Sequence, residues 1–168
     1  VALAGASLHE HARALRRKTH ETIRRVAQDL YPKAHLNTAI SALMELVNEL
    51  YLFTDREGLG PGAPRVDEHA DASAETVAVV REAVEALVLM LSPFAPHLAE
   101  ELWERLGHDR GVIAAGWPVF DEGVARPEEL VVPIQVNGRV RARLTVPADL
   151  TEAELERLAL ADRAIQAH

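Results

Sequence analysis

A row of basic residues near the start of the chain is the feature with the clearest chemistry. Four of its members stand at i, i+4, i+7 and i+11, and so on one side of a helix: Arg13, Arg17, His20 and Arg24. Three further cations flank the row: Arg16, Lys18 and Arg25. Only Glu21 opposes them between residues 13 and 25. Such a face suits the phosphate backbone of a nucleic acid, although a solvated helix surface would have the same composition.

A second basic group lies on a predicted β-hairpin near the other end of the chain. Arg139, Arg141 and Arg143 alternate with apolar residues along the second strand. The apolar residues of both strands share one face if a bulge or three-residue loop pairs Val136 with Val140, which leaves the arginines on the open face. Alternating arginines also protect an exposed strand from edge-to-edge pairing, and no aromatic residue alternates with them as in many RNA-binding sheets. The hairpin is therefore the second candidate for a nucleic-acid contact.

Other kinds of site find no support in the sequence. The absence of cysteine excludes a thiolate metal site and a cysteine nucleophile, and it fits a reducing cytoplasm. His97 and Glu100 reverse the order of the di-iron motif, and no nucleophile elbow, phosphate-binding loop or dinucleotide-binding motif occurs. No apolar run approaches the length of a membrane span. We therefore expect no catalytic, cofactor-binding or metal-binding residue. The net charge of −8 argues against binding of a nucleic acid. The hypothesis of nucleic-acid binding therefore depends on the local clustering of cations.

The first element that must position these groups is an amphipathic helix. It is predicted to begin near Ser7, which forms a capping box with Glu10, and to end near Tyr31. Its apolar side has helical spacing and predicts the residues that face the core: Leu8, Ala12, Leu15, Thr19, Ile23, Val26 and Leu30. The basic row lies largely on the other side of this helix.

Three more helices complete a predicted bundle. The second, over residues 36–51 with a cap at Asn37, is apolar around most of its circumference and is predicted to lie deep in the bundle. A third helix ends at Leu91, and a fourth runs over residues 96–107 with proline in its first turn. Four such faces predict an antiparallel helical bundle over residues 1–107.

The pattern changes after the bundle. Residues 108–130 are predicted to form an irregular connector, with the aromatic residues of the segment 116–120 packed back against the bundle. Residues 131–168 contain the hairpin and then a capping box of Thr151 and Glu154 that opens a last helix. Because a single hairpin is marginally stable in water, this part is expected to be a small, truncated α/β domain.

Four stretches, in this order, closely resemble segments of bacterial leucyl-tRNA synthetases: residues 36–46 (LNTAISALMEL), 91–103 (LSPFAPHLAEELW), 116–121 (GWPVFD) and 135–141 (QVNGRVR). The resemblance covers nearly the whole chain. It implies a mainly α fold, with an antiparallel bundle of the class Ia synthetase anticodon-binding type followed by the start of a C-terminal α/β domain. It also implies tRNA(Leu) as partner and a monomeric, cytoplasmic parent enzyme that ligates leucine to tRNA. The ATP and Mg²⁺ of that reaction would bind a catalytic domain preceding this segment, and no membrane is involved.

Charge geometry and the resemblance together predict the tRNA contacts. The first choice is the helical set, Arg13, Arg17, Lys18 and Arg24, and the second is the hairpin set, Arg139, Arg141 and Arg143. Two alternatives stay open from the residues: a non-enzymatic helical module that binds proteins, and the corresponding fragment of a valyl- or isoleucyl-tRNA synthetase.

Overall fold

The computed structural model describes residues 8–60, 73–126, 129–136, 139–148 and 150–161. These ranges contain seven helices and two strands: α1 (Glu10–Leu30), α2 (Leu36–Arg56), α3 (Ala74–Leu91), α4 (Pro96–Arg105), α5 (Val112–Ala115), α6 (Glu122–Ala125), β1 (Glu129–Val136), β2 (Arg139–Pro147) and α7 (Glu152–Ala161). The chain divides into two compact units, Val1–Ala125 and Arg126–His168. The division falls inside the range expected to be a connector, and the mainly α fold is confirmed.

Helix α1 buries the side that its sequence predicts. Leu8, Ala12, Leu15, Thr19, Ile23 and Val26 are all buried, and Leu30 is partly buried against the same core. The predicted cap, Ser7, lies outside the described residues. The structure instead has His9 as the N-cap, with its Nδ1 accepting a hydrogen bond from the Ala12 amide at 3.4 Å.

The core of the first unit forms where α1, α2 and α3 contact one another. Its most completely enclosed side chains are large and aliphatic, and they include Leu46, Val26, Val79 and Met90. Full burial of one such side chain stabilises the fold by about 1.5–3 kcal/mol. Helix α4 packs on α3 through a second, smaller cluster: Val88, Ala99, Trp103 and Val112.

Helix α2 is less buried than its composition suggests. Ala42, Leu43 and Leu46 face the core, but Leu36, Ile40, Met44 and Tyr51 are exposed, with Met44 63% accessible. The prediction of a helix enclosed on most of its circumference is therefore wrong. The helical spacing of apolar residues shows which sides of a helix are apolar. It does not show whether another element of the fold covers each of those sides. The predicted cap is wrong as well, because α2 begins at Leu36 with His35 as its N-cap residue.

The segment between α5 and α6 only partly follows its prediction. Phe120 packs against the main core, as expected, whereas Trp117 stays 39% exposed.

Helix α4 agrees better with the sequence prediction, since it has Pro96 in its first turn. The chain leaves that helix through Gly107, whose φ of +90° is a conformation that favours glycine.

The hairpin of the second unit has the predicted strands and a different register. Val136 pairs with Arg139, not with Val140, and the irregularity lies between Ile134 and Gln135, where β2 has one extra residue. The predicted position of the bulge is therefore wrong. The displaced bulge still aligns apolar pairs along the rest of the hairpin: Leu130 with Val146, Val132 with Leu144 and Ile134 with Ala142. The pairing expected to keep the three arginines on one face is absent, however, because Arg139 is paired with Val136 and Arg143 with Pro133.

Helix α7 begins at the predicted capping box. The Glu154 carboxylate accepts hydrogen bonds from the Thr151 hydroxyl at 2.7 Å and from the Thr151 amide at 3.0 Å. The Thr151 hydroxyl is the main cause of the lowered pKa of Glu154. Within the described part of residues 126–168, Val146 is the only buried apolar residue, so these described residues form little core of their own.

Candidate nucleic-acid interface

Three of the four residues of the predicted basic row occupy the side of α1 that points away from the core: Arg13, Arg17 and Arg24. At 100° per residue, Arg13, Arg17 and Arg24 fall within about 40° of one another around the helix axis. Arg13 and Arg24 are exposed and Arg17 is half-buried. Over the ranges that the structure describes, neither Arg17 nor Arg24 forms an ion pair with a carboxylate. We call these three arginines the outer face of α1.

On the side of α1 that faces α2, the cations are neutralised within the protein. Lys18 Nζ lies 2.7 Å from Glu45 Oε2, and Arg25 Nη1 lies 3.2 Å from both oxygens of the same carboxylate. The hydrogen bond from Lys18 is the largest cause of the lowered pKa of Glu45, with a smaller contribution from Arg25. Two of the predicted basic residues therefore share one counter-charge.

On the side of α1 that faces α3, Glu82 plays the same part in a more buried setting. Arg16 Nε lies 3.0 Å from Glu82 Oε2, and His20 Nε2 lies 3.3 Å from Glu82 Oε1. Burial acts to raise the pKa of Glu82, but hydrogen bonds from His20 and Arg16 outweigh it, so the pKa is lowered. A carboxylate held between two α1 side chains links α1 to α3.

His20 does not belong to the exposed row, which corrects the sequence prediction. Its side chain is only 7% accessible, and its Nδ1 accepts a hydrogen bond from the backbone amide of Asp121 at 2.9 Å. This geometry requires the tautomer with the proton on Nε2, which points toward Glu82. Residues 118–121 pass over this part of α1, and helical spacing cannot reveal contact with a segment a hundred residues away.

Two of the predicted helical contact residues line one shallow cleft. The cleft has a volume of about 300 Å³ and is lined by Lys18, Glu21, Thr22, Arg24, Arg25 and Gln28. It joins the outer face to the cations paired with Glu45. The structure thus brings Lys18 and Arg24 together and shows that Lys18 already has a partner.

Those hairpin arginines whose side chains the structure describes are exposed. Arg141 and Arg143 are exposed in β2, and the side chain of Arg139 lies outside the described part of the chain. The opposite face of the sheet carries the half-buried residues Val132, Ile134 and Leu144.

The described residues offer no support for a metal site or a membrane-spanning helix. No three of their histidine and acidic side chains converge in a way that could hold a metal ion. None of the helices in these ranges has the length and apolar character needed to cross a membrane.

The sequence analysis did not identify Glu45 and Glu82 as important residues. These two carboxylates determine which of the basic residues of α1 are paired within the protein. Their signal is weak: each is an acidic residue on a helix that also carries many apolar residues. Such a position suggests a partner on another helix but does not identify it.

The fold agrees with a family of tRNA ligases. A family profile described as the anticodon-binding domain of tRNA ligase matches residues 12–157, so the chain belongs to this family. Among individual proteins, it is 44% identical over 162 residues to the leucine–tRNA ligase of Syntrophobacter fumaroxidans and 48% identical over 160 residues to that of Geobacter sp. (strain M21). These alignments cover 96% and 95% of this chain and 18% of each relative.

A solved structure is similar to this chain as well. The chain matches the crystal structure of the ternary complex of the Agrobacterium radiobacter K84 agnB2 LeuRS with tRNA and LeuAMS, at a TM-score of 0.75 and 29% identity. The match covers 99% of this chain and 19% of that one. The resemblance found in the sequence is confirmed, and neither alternative, the protein-binding module or the valyl or isoleucyl fragment, is favoured.

Proposed function

We propose that this chain is the tRNA-docking portion of a leucine–tRNA ligase and that it binds the tRNA backbone without catalysing a reaction. The observation that carries the proposal is the similarity of 99% of the chain to a LeuRS crystallised with tRNA. The outer face of α1 supplies a physical basis for such docking, because Arg13 and Arg24 are exposed and Arg17 is half-buried on a helix whose other side is buried in the core. Arginine suits this task since its planar guanidinium can donate two parallel hydrogen bonds to a phosphate.

The proposed contacts form a graded set. Arg13, Arg17 and Arg24 are the primary phosphate ligands. Lys18 is included because it lines the cleft beside Arg24, although its ion pair with Glu45 must loosen before its charge becomes available. The hairpin residues Arg139, Arg141 and Arg143 form the second proposed contact.

The activity of the whole ligase is a wider proposal, since this chain spans 18% of the relatives that it matches. In that proposal the parent enzyme ligates leucine to tRNA(Leu), and its ATP and Mg²⁺ bind elsewhere in the polypeptide. A monomeric parent and a cytoplasmic location likewise remain predictions from the resemblance.

The experiment is a salt titration of binding to a tRNA(Leu) transcript, measured by fluorescence anisotropy. Each lost phosphate contact lowers the magnitude of the slope of log K against log salt by about 0.7–0.9. The variant with both Arg17→Ala and Arg24→Ala should therefore lower it by about 1.4–1.8. Arg105→Ala is the matched control, because Arg105 is an exposed arginine on α4 that is paired with Glu101.

Two results would count against the proposal. An unchanged slope in the double variant would remove the outer face of α1 as the contact surface. A wild-type chain whose affinity for tRNA does not depend on salt would overturn the docking function itself.

A further inference from the structure

Tyr31 is an exposed aromatic side chain directly after the last residue of α1. It is 83% exposed. Over the ranges that the structure describes, its ring stacks on no other ring and its hydroxyl makes no hydrogen bond. Its backbone amide still donates to Ala27 O at 3.1 Å, so the residue is held at the end of the helix. The backbone is fixed while the side chain is left in solvent.

The position of Tyr31 relates it to the outer face of α1. It follows Arg24 by seven residues, Arg17 by fourteen and Arg13 by eighteen, which are close to two, four and five helical turns. Tyr31 is the C-cap residue, with an extended backbone, and it directly follows the last helical residue. The helical step therefore places position 31 at the end of the line of the three arginines, about 10 Å beyond Arg24 along the axis. Scattered apolar residues on a surface need no explanation, but this one terminates a row of cations.

The charges around Tyr31 also favour an anionic polymer. Lys33 and His35, in the loop that follows, are both exposed. The nearest acidic residue on α1 is Asp29, which the 100° step of the helix places on the opposite side of the axis from position 31. An aromatic ring beside a basic track is the arrangement with which proteins bind single-stranded RNA, because the ring stacks on a base while the cations hold the backbone.

We propose that Tyr31 stacks on an unpaired nucleobase of the RNA whose phosphates bind the outer face of α1. This inference rests on the proposed function and extends it, because it adds a base-stacking contact to a surface so far defined only by charge. Stacking does not require a particular base, since every base has a π-face. The contact would thus distinguish unpaired from paired regions of tRNA without reading a sequence.

The test compares substitutions at the two tyrosines of the chain. Tyr31→Ala should weaken binding to a tRNA(Leu) transcript by roughly 5- to 150-fold, the range that corresponds to loss of one base–aromatic stack. The salt slope should stay at the wild-type value, because no charge is removed. Tyr31→Phe, which keeps the ring, should bind within about twofold of wild type. Tyr51→Ala is the matched control, since Tyr51 is 61% exposed on α2 and should have no effect.

A second probe separates stacking from backbone binding. On a fully base-paired RNA duplex of similar length, Tyr31→Ala should bind like wild type, whereas the Arg17→Ala and Arg24→Ala double variant should bind more weakly. Equal affinities of Tyr31→Ala and wild type for tRNA would overturn the inference and leave the docking function standing. An equal loss on tRNA and on the duplex would also overturn it, since a duplex offers no unpaired base. Absence of salt-dependent tRNA binding by the wild-type chain would overturn both proposals.

Discussion

Arg17 and Arg24 on the outer face of α1 and the cations on its two flanks are the same kinds of residue, and the structure gives them different electrostatic surroundings. Arg16, Lys18 and Arg25 on the flanks are paired with carboxylates of α3 and α2. Arg17 and Arg24 on the outer face have no such carboxylate within the described residues. The lesson is that a count of cations along one helix overestimates its binding charge when neighbouring helices supply counter-charges.

The flank next to α3 should matter most for stability. Glu82→Ala leaves Arg16 and the buried His20 without their shared partner, and we expect it to lower the free energy of unfolding by about 2 kcal/mol. Urea unfolding followed by circular dichroism measures the change. Glu101→Ala is the control, because its pair with Arg105 is exposed and such pairs contribute less than about 1 kcal/mol. Equal losses of unfolding free energy in the two variants would mean that Glu82 contributes no more to stability than an exposed carboxylate does.

The same carboxylate should make stability depend on pH. The pKa of Glu82 is lowered below the reference value of 4.5, with Arg16 and His20 facing it from α1. A lowered folded-state pKa means that the unfolded chain binds the proton more readily, so the contribution is fully present above the reference pKa and is lost as the pH falls through the folded-state value. Urea unfolding at several pH values between 7 and 3 should show a shallower acid loss for Glu82→Gln than for wild type. Superimposable curves would contradict the role of Glu82.

The flank next to α2 should act on RNA affinity more than on stability. Glu45→Gln removes the counter-charge of Lys18 and Arg25, so we expect tRNA affinity to rise a few-fold and the magnitude of the salt slope to increase by up to about 0.7–0.9 per released cation. Anisotropy titrations at several salt concentrations measure both. Glu101→Gln removes one negative charge from α4 and controls for the change in net charge. An unchanged slope for Glu45→Gln would indicate that the flank cations are too far from the RNA to contribute.

The smallest effect is expected for a single flank cation. Lys18→Ala should change the salt slope by less than half of the change caused by Arg24→Ala, because Lys18 is already 2.7 Å from Glu45. The same titration series tests this difference. If Lys18→Ala and Arg24→Ala gave equal changes, the distinction between flank and outer face would have no consequence for RNA binding.

Much of the local structure could be predicted because it depends on neighbours in the chain. The inward residues of α1 follow from helical periodicity, and the Thr151–Glu154 cap follows from two residues three positions apart. The register of the hairpin is harder to predict from the sequence. The alternation of apolar residues requires one bulge but fits several positions for it, and the observed bulge lies next to Gln135 rather than at the turn.

The sequence by itself determined the five longer helices, the hairpin and the family, since periodicity, caps and the four stretches of resemblance depend on residues close together in the chain. The short helices α5 and α6 lie in the segment that was predicted to be irregular, so that part of the prediction is wrong. Only the tertiary structure decided which basic residues remain exposed, that His20 is covered near Asp121, and that α2 keeps an apolar side in solvent. The physical reason is that ion pairing and burial depend on distances between residues far apart in sequence. The partners in Arg16–Glu82 are 66 positions apart and those in Lys18–Glu45 are 27 apart, and no local pattern brings them together.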